Sequence, residues 1–145
     1  MAESTIQLDI VSLETTLFGG PVKHFIVRGE LGELGIYPGH TPLLTSLKPG
    51  QIVVTLPDGS EDLFYVSGGM LEVQPHAVTV LADVAMHARD IDEAQAIKVE
   101  QDMRQALTNK QSELDYSRAL SELAEASAQI RAISELKRKL TRARK

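Results

Sequence analysis

The strongest constraint on the fold is an abrupt change in residue usage along the 145-residue chain. All ten glycines lie at or before Gly69, and all six prolines lie at or before Pro75. From about residue 91 onward the chain is rich in Ala, Glu, Leu, Gln, Arg and Lys, which favour helix. Turn formers and strand formers dominate the first part instead. The sequence therefore predicts an all-β N-terminal domain over residues 1–88 and a two-helix domain over residues 89–145.

Within the first part, apolar and polar residues alternate in short segments, which is typical of half-buried strands. Asp58-Gly59 between two such segments is a strong hairpin signal. Short strands separated by frequent turns indicate a β-sandwich or barrel. The predicted strands are 5–13, 22–29, 51–56, 61–67, 70–74 and 77–85, and the main predicted turns are 18–20, 57–60 and 68–69.

The second part has apolar residues at helical spacing, which predicts helices over 91–107 and 116–140 with a polar loop over 108–115. Asp90 or Asp92 is the expected N-cap of the first helix. The predicted inward stripes are Ala96, Val99, Met103 and Ala106/Leu107 in the first helix, and Ala119, Leu123, Ala126, Ile130, Ile133 and Leu140 in the second. Because these stripes are narrow and alanine-rich, the hairpin is either a static pair or an element that detaches easily.

Charge is divided as unevenly as composition. Residues 1–90 carry 11 acidic and 4 basic side chains, whereas residues 91–145 carry 9 acidic and 11 basic ones. The net charge of −5 argues against a nucleic-acid partner. The run KRKLTRARK, residues 137–145, holds six basic residues and no acid. It is either a solvated helix end, where the helix dipole favours cations, or a contact for an acidic partner or anionic lipid.

Several classes of protein are disfavoured by what the sequence lacks. There is no cysteine, so disulfides, thiolate metal sites and a cysteine nucleophile are excluded. No apolar run is long enough to span a membrane. The first twenty residues carry no basic region followed by an apolar one, and they contain no arginine. We therefore expect neither a signal peptide nor a mitochondrial presequence.

The glycine-rich stretch GELGELGIYPGHTPLL, residues 29–44, invites comparison with phosphate-binding loops. Its GxxGxxG spacing differs from the dinucleotide-binding pattern, and Pro38 and Pro42 forbid the helix that such a loop requires. The chain also lacks a P-loop motif. We expect a structured loop that reverses tightly and is anchored by Leu31, Leu34 and Ile36.

No catalytic or metal-binding set is visible in the sequence. His24, His40, His76 and His87 form none of the spacings that hold zinc or iron, and the nucleophile-elbow motif is absent. We predict no catalytic residues and no metal site. His40 sits between Gly39 and Pro42 on an expected exposed loop, where it is either a surface residue without a task or a partner contact.

Four segments resemble the epsilon subunit of bacterial F-type ATP synthases, and the resemblance covers essentially the whole chain. The segments are GELGELGIYPGHTPLLTSLKPG (29–50), FYVSGGMLEVQPHAVTVLADVA (64–85), DIDEAQA (90–96) and DYSRALSELAEASAQIRAI (115–133). The resemblance implies an all-β sandwich of about ten strands followed by an antiparallel α-helical hairpin. It also implies a non-catalytic rotor subunit of the central stalk, which couples proton translocation to ATP synthesis and inhibits ATP hydrolysis through its helices.

The partners implied by this resemblance are the gamma subunit, the c-subunit ring, and the alpha and beta subunits of the catalytic head, with no nucleic acid. The family loop that matches residues 30–40 faces the c ring, so Glu30, Glu33 and His40 are the expected ring contacts. The implied location is peripheral, at the cytoplasmic side of a bacterial cell inner membrane.

Some members of the family bind ATP through a motif that begins at the position of Ile91 and Asp92. Here Gln95 replaces the arginine of that motif, so a cation that would pair with phosphate is missing, and Arg131 is the residue that would compensate. The implied nucleotide-binding residues are Ile91, Asp92, Ala96 and Arg131. We expect no required cofactor and at most weak ATP binding. In the alternative interpretation, Ile91 and Asp92 simply cap the first helix.

Two other functions are compatible with the composition. One is a β-sandwich module that binds proteins or carbohydrates and carries a helical oligomerisation tail. The absence of Trp and the presence of only three Phe and three Tyr count against a sugar-binding face. The other is a stand-alone hydrolase, for which the sequence supplies no catalytic set.

Overall fold

A computed structural model describes residues 4–108 and 113–143, with side chains of the last helix described over 115–142. The chain divides into two compact units, residues 1–87 and 88–145. The division falls one residue before the boundary predicted from composition. Residues 109–112, in the middle of the predicted polar loop, lie outside the described residues, as do Arg144 and Lys145 of the basic run.

Over residues 4–87 the first unit contains ten strands. They are β1 (Ile6–Ser12), β2 (Thr16–Val22), β3 (His24–Gly29), β4 (Gly32–Ile36), β5 (Leu43–Leu47), β6 (Gly50–Thr55), β7 (Glu61–Val66), β8 (Gly69–Val73), β9 (Ala77–Ala82) and β10 (Ala85–His87). The predicted all-β sandwich of about ten strands is thus confirmed.

The strands are hydrogen-bonded in the order β10-β7-β6-β3-β5-β8-β9-β1-β2, and β4 pairs with β3 outside this path. The β1–β9 pair is parallel and the other pairs are antiparallel. A single residue pair, Gly29 with Leu47, joins β3 to β5. This sparse pairing divides the sheet into two halves, β10-β7-β6-β3-β4 and β5-β8-β9-β1-β2, which are the layers of a sandwich around a shared core.

The alternation predicted for the strands places one apolar face of each layer in a common core. Ile6, Leu8 and Ile10 of β1 are fully buried, and Phe25 and Val27 of β3 occupy equivalent inward positions. Burying side chains of this size contributes roughly 1.5–3 kcal/mol each to stability. The rest of the core comprises Val22, Ile36, Leu47, Ile52, Val54, Phe64, Val66, Leu71, Val73, Val78, Val80 and Ala82.

Two of the three main predicted turns are confirmed. Asp58 accepts hydrogen bonds from the backbone N–H and the hydroxyl of Ser60, at 2.9 and 2.6 Å, and so closes the β6–β7 hairpin. Gly69 follows the β7–β8 turn with φ +146°, and a Cβ there would lie 2.0 Å from the carbonyl oxygen of Leu81. Only glycine fits this close approach of two strands.

The turn predicted at residues 18–20 is wrong. Gly19 and Gly20 lie inside β2 and pair with Asp9 and Leu8. The chain reverses earlier, where the backbone N–H of Ser12 donates to the carbonyl oxygen of Thr15 at 2.8 Å. The glycines mark a crowded position in a strand, since a Cβ on Gly19 would lie 3.1 Å from a carboxylate oxygen of Asp9.

The glycine-rich stretch does reverse the chain, but its later part is a strand. Glu30 and Leu31 form a two-residue loop between the paired Gly29 and Gly32, after which β4 runs back along β3. The anchoring role predicted for Leu31 is wrong, because this side chain is fully exposed at the tip of the hairpin. Ile36 is fully buried, and Leu34 packs against the core.

The second unit begins with a short 3-10 helix, Ala88–Asp90, followed by α1 (Glu93–Thr108) and α2 (Glu113–Ala143). Both helices extend beyond the predicted C-terminal bounds, and α2 starts three residues before the predicted Tyr116. Ala96 of α1 and Ala119, Ala126 and Ile133 of α2 are buried as predicted. Ala106 and Leu140 are exposed, so their inclusion in the stripes is wrong.

Candidate functional site

The β3–β4 hairpin presents the two carboxylates that the sequence singled out. Glu30 lies in its two-residue loop and is exposed. Glu33 lies in β4, directly opposite Arg28 of β3, and is also exposed. Directly opposed residues of an antiparallel pair lie on the same face of the sheet, so a basic side chain accompanies Glu33 on that face.

Strand register places four other turns at the same end of the sandwich. We call this the Glu30 end; its turns are at residues 13–15, 30–31, 48–49, 67–68 and 83–84. Leu13, Leu31 and Val84 are exposed at three of these turns. Apolar side chains and carboxylates thus occur together at one end of the sandwich, a combination suited to a protein partner.

His40 lies at the opposite end of the sandwich. Its loop follows β4 and is held by hydrogen bonds from the backbone N–H of His40 to Tyr37 O and of Gly39 to Pro75 O, at 3.1 and 3.0 Å. The His40 ring is half-buried, with Nδ1 2.7 Å from the carbonyl oxygen of Thr41. Since β4 spans about 13 Å in all and about 10 Å beyond Glu33, the structure separates His40 from Glu30 and Glu33.

A row of apolar side chains crosses the outer face of the second layer, and sequence reasoning missed it. Val11 pairs with Leu81 across β1 and β9, and Leu81 pairs with Met70 across β9 and β8. Leu81 and Met70 are 49% and 39% exposed. The signal was present in the sequence, because Leu81 stands at the position of the β9 alternation where a polar residue is expected.

The four residues of the implied nucleotide motif are placed on the helical unit. Asp92 caps α1: its carboxylate accepts a hydrogen bond from the backbone N–H of Gln95 at 3.1 Å, as predicted for an N-cap. Ile91 is half-buried and donates its N–H to Ala88 O at 3.3 Å. Ala96 is buried. Arg131 is exposed on α2, where its Nε donates to the Ser127 carbonyl at 3.4 Å.

A cleft of about 360 Å³ lies between α1 and α2 beside Ala96. Two carboxylates, Glu122 and Glu125, are in its lining and Arg131 is not. Among the residues that the structure describes, the lining contains no basic side chain, so it lacks the pairing with cations that tight phosphate binding requires. The full lining is Gln95, Ala96, Val99, Glu122, Glu125, Ala126 and Gln129.

Polar contacts between described residues link the helices of the hairpin. The Ser127 hydroxyl donates to Glu100 Oε2 at 3.0 Å near the middle of the pair. Lys137 Nζ donates to Glu93 Oε2 at 2.7 Å where α1 begins. Lys137, the later of the two α2 residues, contacts Glu93, the earlier of the two α1 residues. The helices therefore run antiparallel, as predicted.

Over residues 4–108 and 113–143, no group of three or more His, Asp or Glu side chains is arranged to hold a metal ion. None of the helices within these same ranges is long and apolar enough to cross a membrane.

Comparison with protein families matches both units in order. Residues 5–88 match the family described as ATP synthase, Delta/Epsilon chain, beta-sandwich domain. Residues 89–134 match ATP synthase, Delta/Epsilon chain, long alpha-helix domain. Among similar curated proteins, the ATP synthase epsilon chain of Nitrosococcus oceani is 54% identical over 94% of this chain and 97% of its own length. That of Legionella pneumophila strain Corby is 52% identical with the same coverage.

Solved structures show the same fold at lower identity. A chain of the Euglena gracilis mitochondrial ATP synthase (OSCP/F1/c-ring) has a TM-score of 0.78 and 23% identity, and the match covers 86% of this chain and 78% of that one. A chain of the Tetrahymena thermophila mitochondrial ATP synthase (central stalk/c-ring) has a TM-score of 0.64 and 10% identity, with coverages of 92% and 99%.

The fold and the surfaces described above define a two-part protein, a β-sandwich followed by a helical hairpin, whose exposed turns and sheet face are suited to protein partners. With both family models matched and relatives above 50% identity over nearly the full length, the chain belongs to the ATP synthase delta/epsilon chain family.

Proposed function

We propose that this chain is a rotor subunit in the central stalk of an F-type ATP synthase, where it couples proton translocation to ATP synthesis and restrains ATP hydrolysis. One observation carries the proposal: both family models match in order, and relatives at 52–54% identity over 94% of the chain are ATP synthase epsilon chains. This favours the stalk subunit over the β-sandwich binding module with an oligomerisation tail.

The partners are the gamma subunit, the ring of c subunits, and the alpha and beta subunits of the catalytic head. Glu30 and Glu33 are assigned to the polar loops of the c ring, because both carboxylates are exposed at one end of the sandwich. His40 lies at the other end, so it would need a separate contact. The apolar row Val11–Leu81–Met70 is assigned to the gamma subunit, since exposed apolar side chains on adjacent strands favour a protein contact.

The chain acts without a catalytic site of its own and without a required cofactor. The lack of cysteine supports this, as does the scatter of the described histidines over β3, β10 and two separate loops. ATP binding at Ile91, Asp92, Ala96 and Arg131 is weak, because Gln95 supplies no positive charge and the neighbouring cleft contains Glu122 and Glu125.

The location follows from the complex. Membership of the family makes the chain part of a membrane-associated assembly, and the relatives named above are bacterial. We place it at the cytoplasmic side of a bacterial cell inner membrane, held there through its partners.

Inhibition is assigned to the helical unit. In the described parts of α1 and α2 the buried side chains are alanines apart from Ile133, so separating the helices exposes modest apolar surface. An element held this loosely can exchange between a closed and an extended form at modest free-energy cost. In the extended form the basic residues from Lys137 onward would reach acidic surfaces of the alpha and beta subunits.

The decisive experiment measures ATP hydrolysis by the assembled catalytic head without this chain, with the full chain, and with a version truncated after Ala88. The proposal predicts that the full chain binds and inhibits, whereas the truncated version binds without inhibiting. If neither version binds the head, the stalk assignment fails and the independent binding module replaces it. If both bind and neither inhibits, the stalk role stands and the inhibitory role is lost.

A further inference from the structure

We propose that the hydrogen bond between Ser127 and Glu100 is the polar contact that contributes most to holding the two helices of the hairpin together. We call this its fastening role, through which it sets the balance between the closed and open forms of the hairpin. The proposal names the contact on which regulation depends and, for its effect on ATP hydrolysis, rests on the proposed function. Its effect on the hairpin itself does not.

The contact is a charge-assisted hydrogen bond with a length within the range of O–H···O bonds. The Ser127 hydroxyl donates to Glu100 Oε2 at 3.0 Å, and the contact is partly buried. The Glu100 side chain is only 24% exposed. Hydrogen bonds to a carboxylate are roughly twice as strong as those between neutral groups, and partial burial strengthens them further.

Glu100 is also oriented from its own helix. Arg104, one turn further along α1, lies with Nε 3.8 Å from Glu100 Oε1. The arginine thus interacts with one carboxylate oxygen and leaves Oε2 for the serine on α2. This arrangement prepares Glu100 to receive the hydroxyl and keeps its charge compensated when the hairpin is closed.

The rest of the seam supplies little that could replace this bond. Val99 and Met103 are only half-buried, and Ile133 is the one large side chain that the described parts of α1 and α2 bury. The other buried side chains of the two helices are alanines: Ala96, Ala119, Ala126, Ala128 and Ala132. Small side chains bury little area and define the register of two helices poorly. A directional bond near mid-helix therefore has a large share in both the stability and the register of the pair.

The Glu93–Lys137 contact across the seam is expected to be weaker. Glu93 and Lys137 are 38% and 65% exposed, so solvent screens their attraction and both side chains lose rotamer freedom on pairing. The mid-hairpin hydrogen bond is accordingly the contact whose removal should shift the equilibrium most.

The absence of cysteine makes the test direct. Gln101 of α1 and Ala124 of α2 are exposed, and replacing both with cysteine allows a spin label on each helix of the full chain. Pulsed electron paramagnetic resonance then reports short label distances for the closed hairpin and long ones for the open hairpin. Ser127→Ala should raise the ratio of open to closed by about tenfold, as expected for losing a hydrogen bond to a charged group.

Ser134→Ala is the matched control. Ser134 is exposed on the same helix, and both substitutions raise helix propensity equally, so their difference reports the lost hydrogen bond. Glu100→Gln is a second variant that keeps an acceptor oxygen but removes the charge, and it should give an intermediate ratio. Circular dichroism verifies that each variant keeps its helix content.

The outcomes separate this inference from the proposed function. If Ser127→Ala gives the same distance distribution as Ser134→Ala, the fastening role is wrong. If the distribution shifts and inhibition of ATP hydrolysis changes with it, both proposals are supported. If the distribution shifts and inhibition stays unchanged, the fastening role stands and the inhibitory part of the proposed function fails.

Discussion

Lys137 and Glu93 join the end of the hairpin at which α1 begins, with Lys137 Nζ 2.7 Å from Glu93 Oε2. The two residues are far apart in sequence, and Lys137 is the first residue of the basic run 137–145. The run that is proposed to meet the catalytic head therefore starts with a side chain that is already paired inside the closed hairpin. The other basic side chains of residues 137–145 can bind a partner only where their own contacts within the closed hairpin are weak.

Deleting residues 137–145 should weaken inhibition of ATP hydrolysis. The deletion removes six basic residues, and losing several charges at the rim of an interface typically lowers affinity by about tenfold. It also removes the exposed Glu93–Lys137 pair, and this loss favours the open hairpin by less than about 1 kcal/mol. The charge effect should dominate, and it is measured as the chain concentration that gives half-maximal inhibition.

Lys137→Gln is the control for this deletion, since it breaks the ion pair and leaves the remaining basic residues in place. We expect its half-inhibitory concentration to stay close to that of the unmodified chain. Unchanged inhibition after the full deletion would show that the basic run does not contact the head.

Gly69→Ala should destabilise the β-sandwich by about 2–4 kcal/mol, because the new methyl group would meet Leu81 O and the residue would keep a strained positive φ. Gly32→Ala is the matched comparison. Gly32 also has positive φ, but no atom lies within 4 Å of its Cβ position, so its cost should be about 1–2 kcal/mol. Urea unfolding of both variants measures the difference, and equal losses would mean that the strand contact at Gly69 adjusts freely.

Much of the fold could be predicted because the relevant signals are local. The alternation around Ile6, Leu8 and Ile10 identified β1 and its inward face, and Asp58-Gly59 identified a hairpin. The helical period likewise found Ala96, Ala126 and Ile133, since burial on a helix follows its 3.6-residue repeat. Each of these features depends on neighbours in the sequence.

The missed elements depend on tertiary contacts. Residues 18–20 contain two glycines and suggested a turn, yet Gly19 serves β2 by leaving room for Asp9 of the neighbouring strand. In β5, Leu43 and Leu44 are both apolar although one faces outward, so alternation is absent. Alternation in β9 marks Leu81 as unusual, but its alignment with Val11 and Met70 in a row follows only from strand register. The Glu30 end likewise appears only once register is known, because register brings together turns that are remote in sequence.

The pKa of the Asp58 carboxyl is lowered from its usual value, chiefly by the hydrogen bond from the Ser60 hydroxyl and also by the bond from the Ser60 backbone N–H. A depressed pKa means that the ionised form favours the folded state. The stabilisation is therefore present when the pH is above the ordinary pKa of an aspartate. It is lost as the pH falls through the lower pKa that Asp58 has in the folded protein.

Asp58→Ala should accordingly lower the thermal midpoint slightly at neutral pH and make no difference in strong acid. Unfolding followed by circular dichroism between neutral pH and about pH 2 gives both curves. Ser60→Ala should show part of the same pH dependence. A constant offset between Asp58→Ala and the unmodified chain at every pH would mean that turn geometry, not charge, is responsible.

Gln95→Arg should strengthen ATP binding. The substitution supplies the cation of the family motif beside Asp92 and Ala96, and a charge-assisted bond to phosphate contributes about 1.5–3 kcal/mol. Isothermal titration calorimetry should therefore show at least about tenfold tighter binding than for the unmodified chain. Gln101→Arg is the control, because it adds the same charge at an exposed site of α1. If ATP affinity rose equally in the two variants, the effect would be one of overall charge and not of the position of Gln95.

Glu33→Gln and His40→Ala should differ in their effect on docking to the c ring. Glu33 lies with Glu30 at one end of the sandwich and His40 lies at the other, so a ring contact at the Glu30 end uses only the carboxylates. Glutamine keeps the shape of Glu33 and avoids the clash of charges with Arg28 that lysine would introduce. Loss of one interfacial charge should lower affinity for the ring by about fivefold.

Co-sedimentation of the assembled head and stalk with detergent-solubilised c ring measures this affinity, and urea unfolding of each variant verifies that the sandwich is intact. We expect Glu33→Gln to weaken retention and His40→Ala to leave it unchanged. If both variants weaken it equally, the ring must contact the side of the sandwich along β4, from Glu33 to the His40 loop, because no end-on contact reaches both residues. That result would replace the end-on arrangement with a lateral one while leaving the fold and the family unaffected.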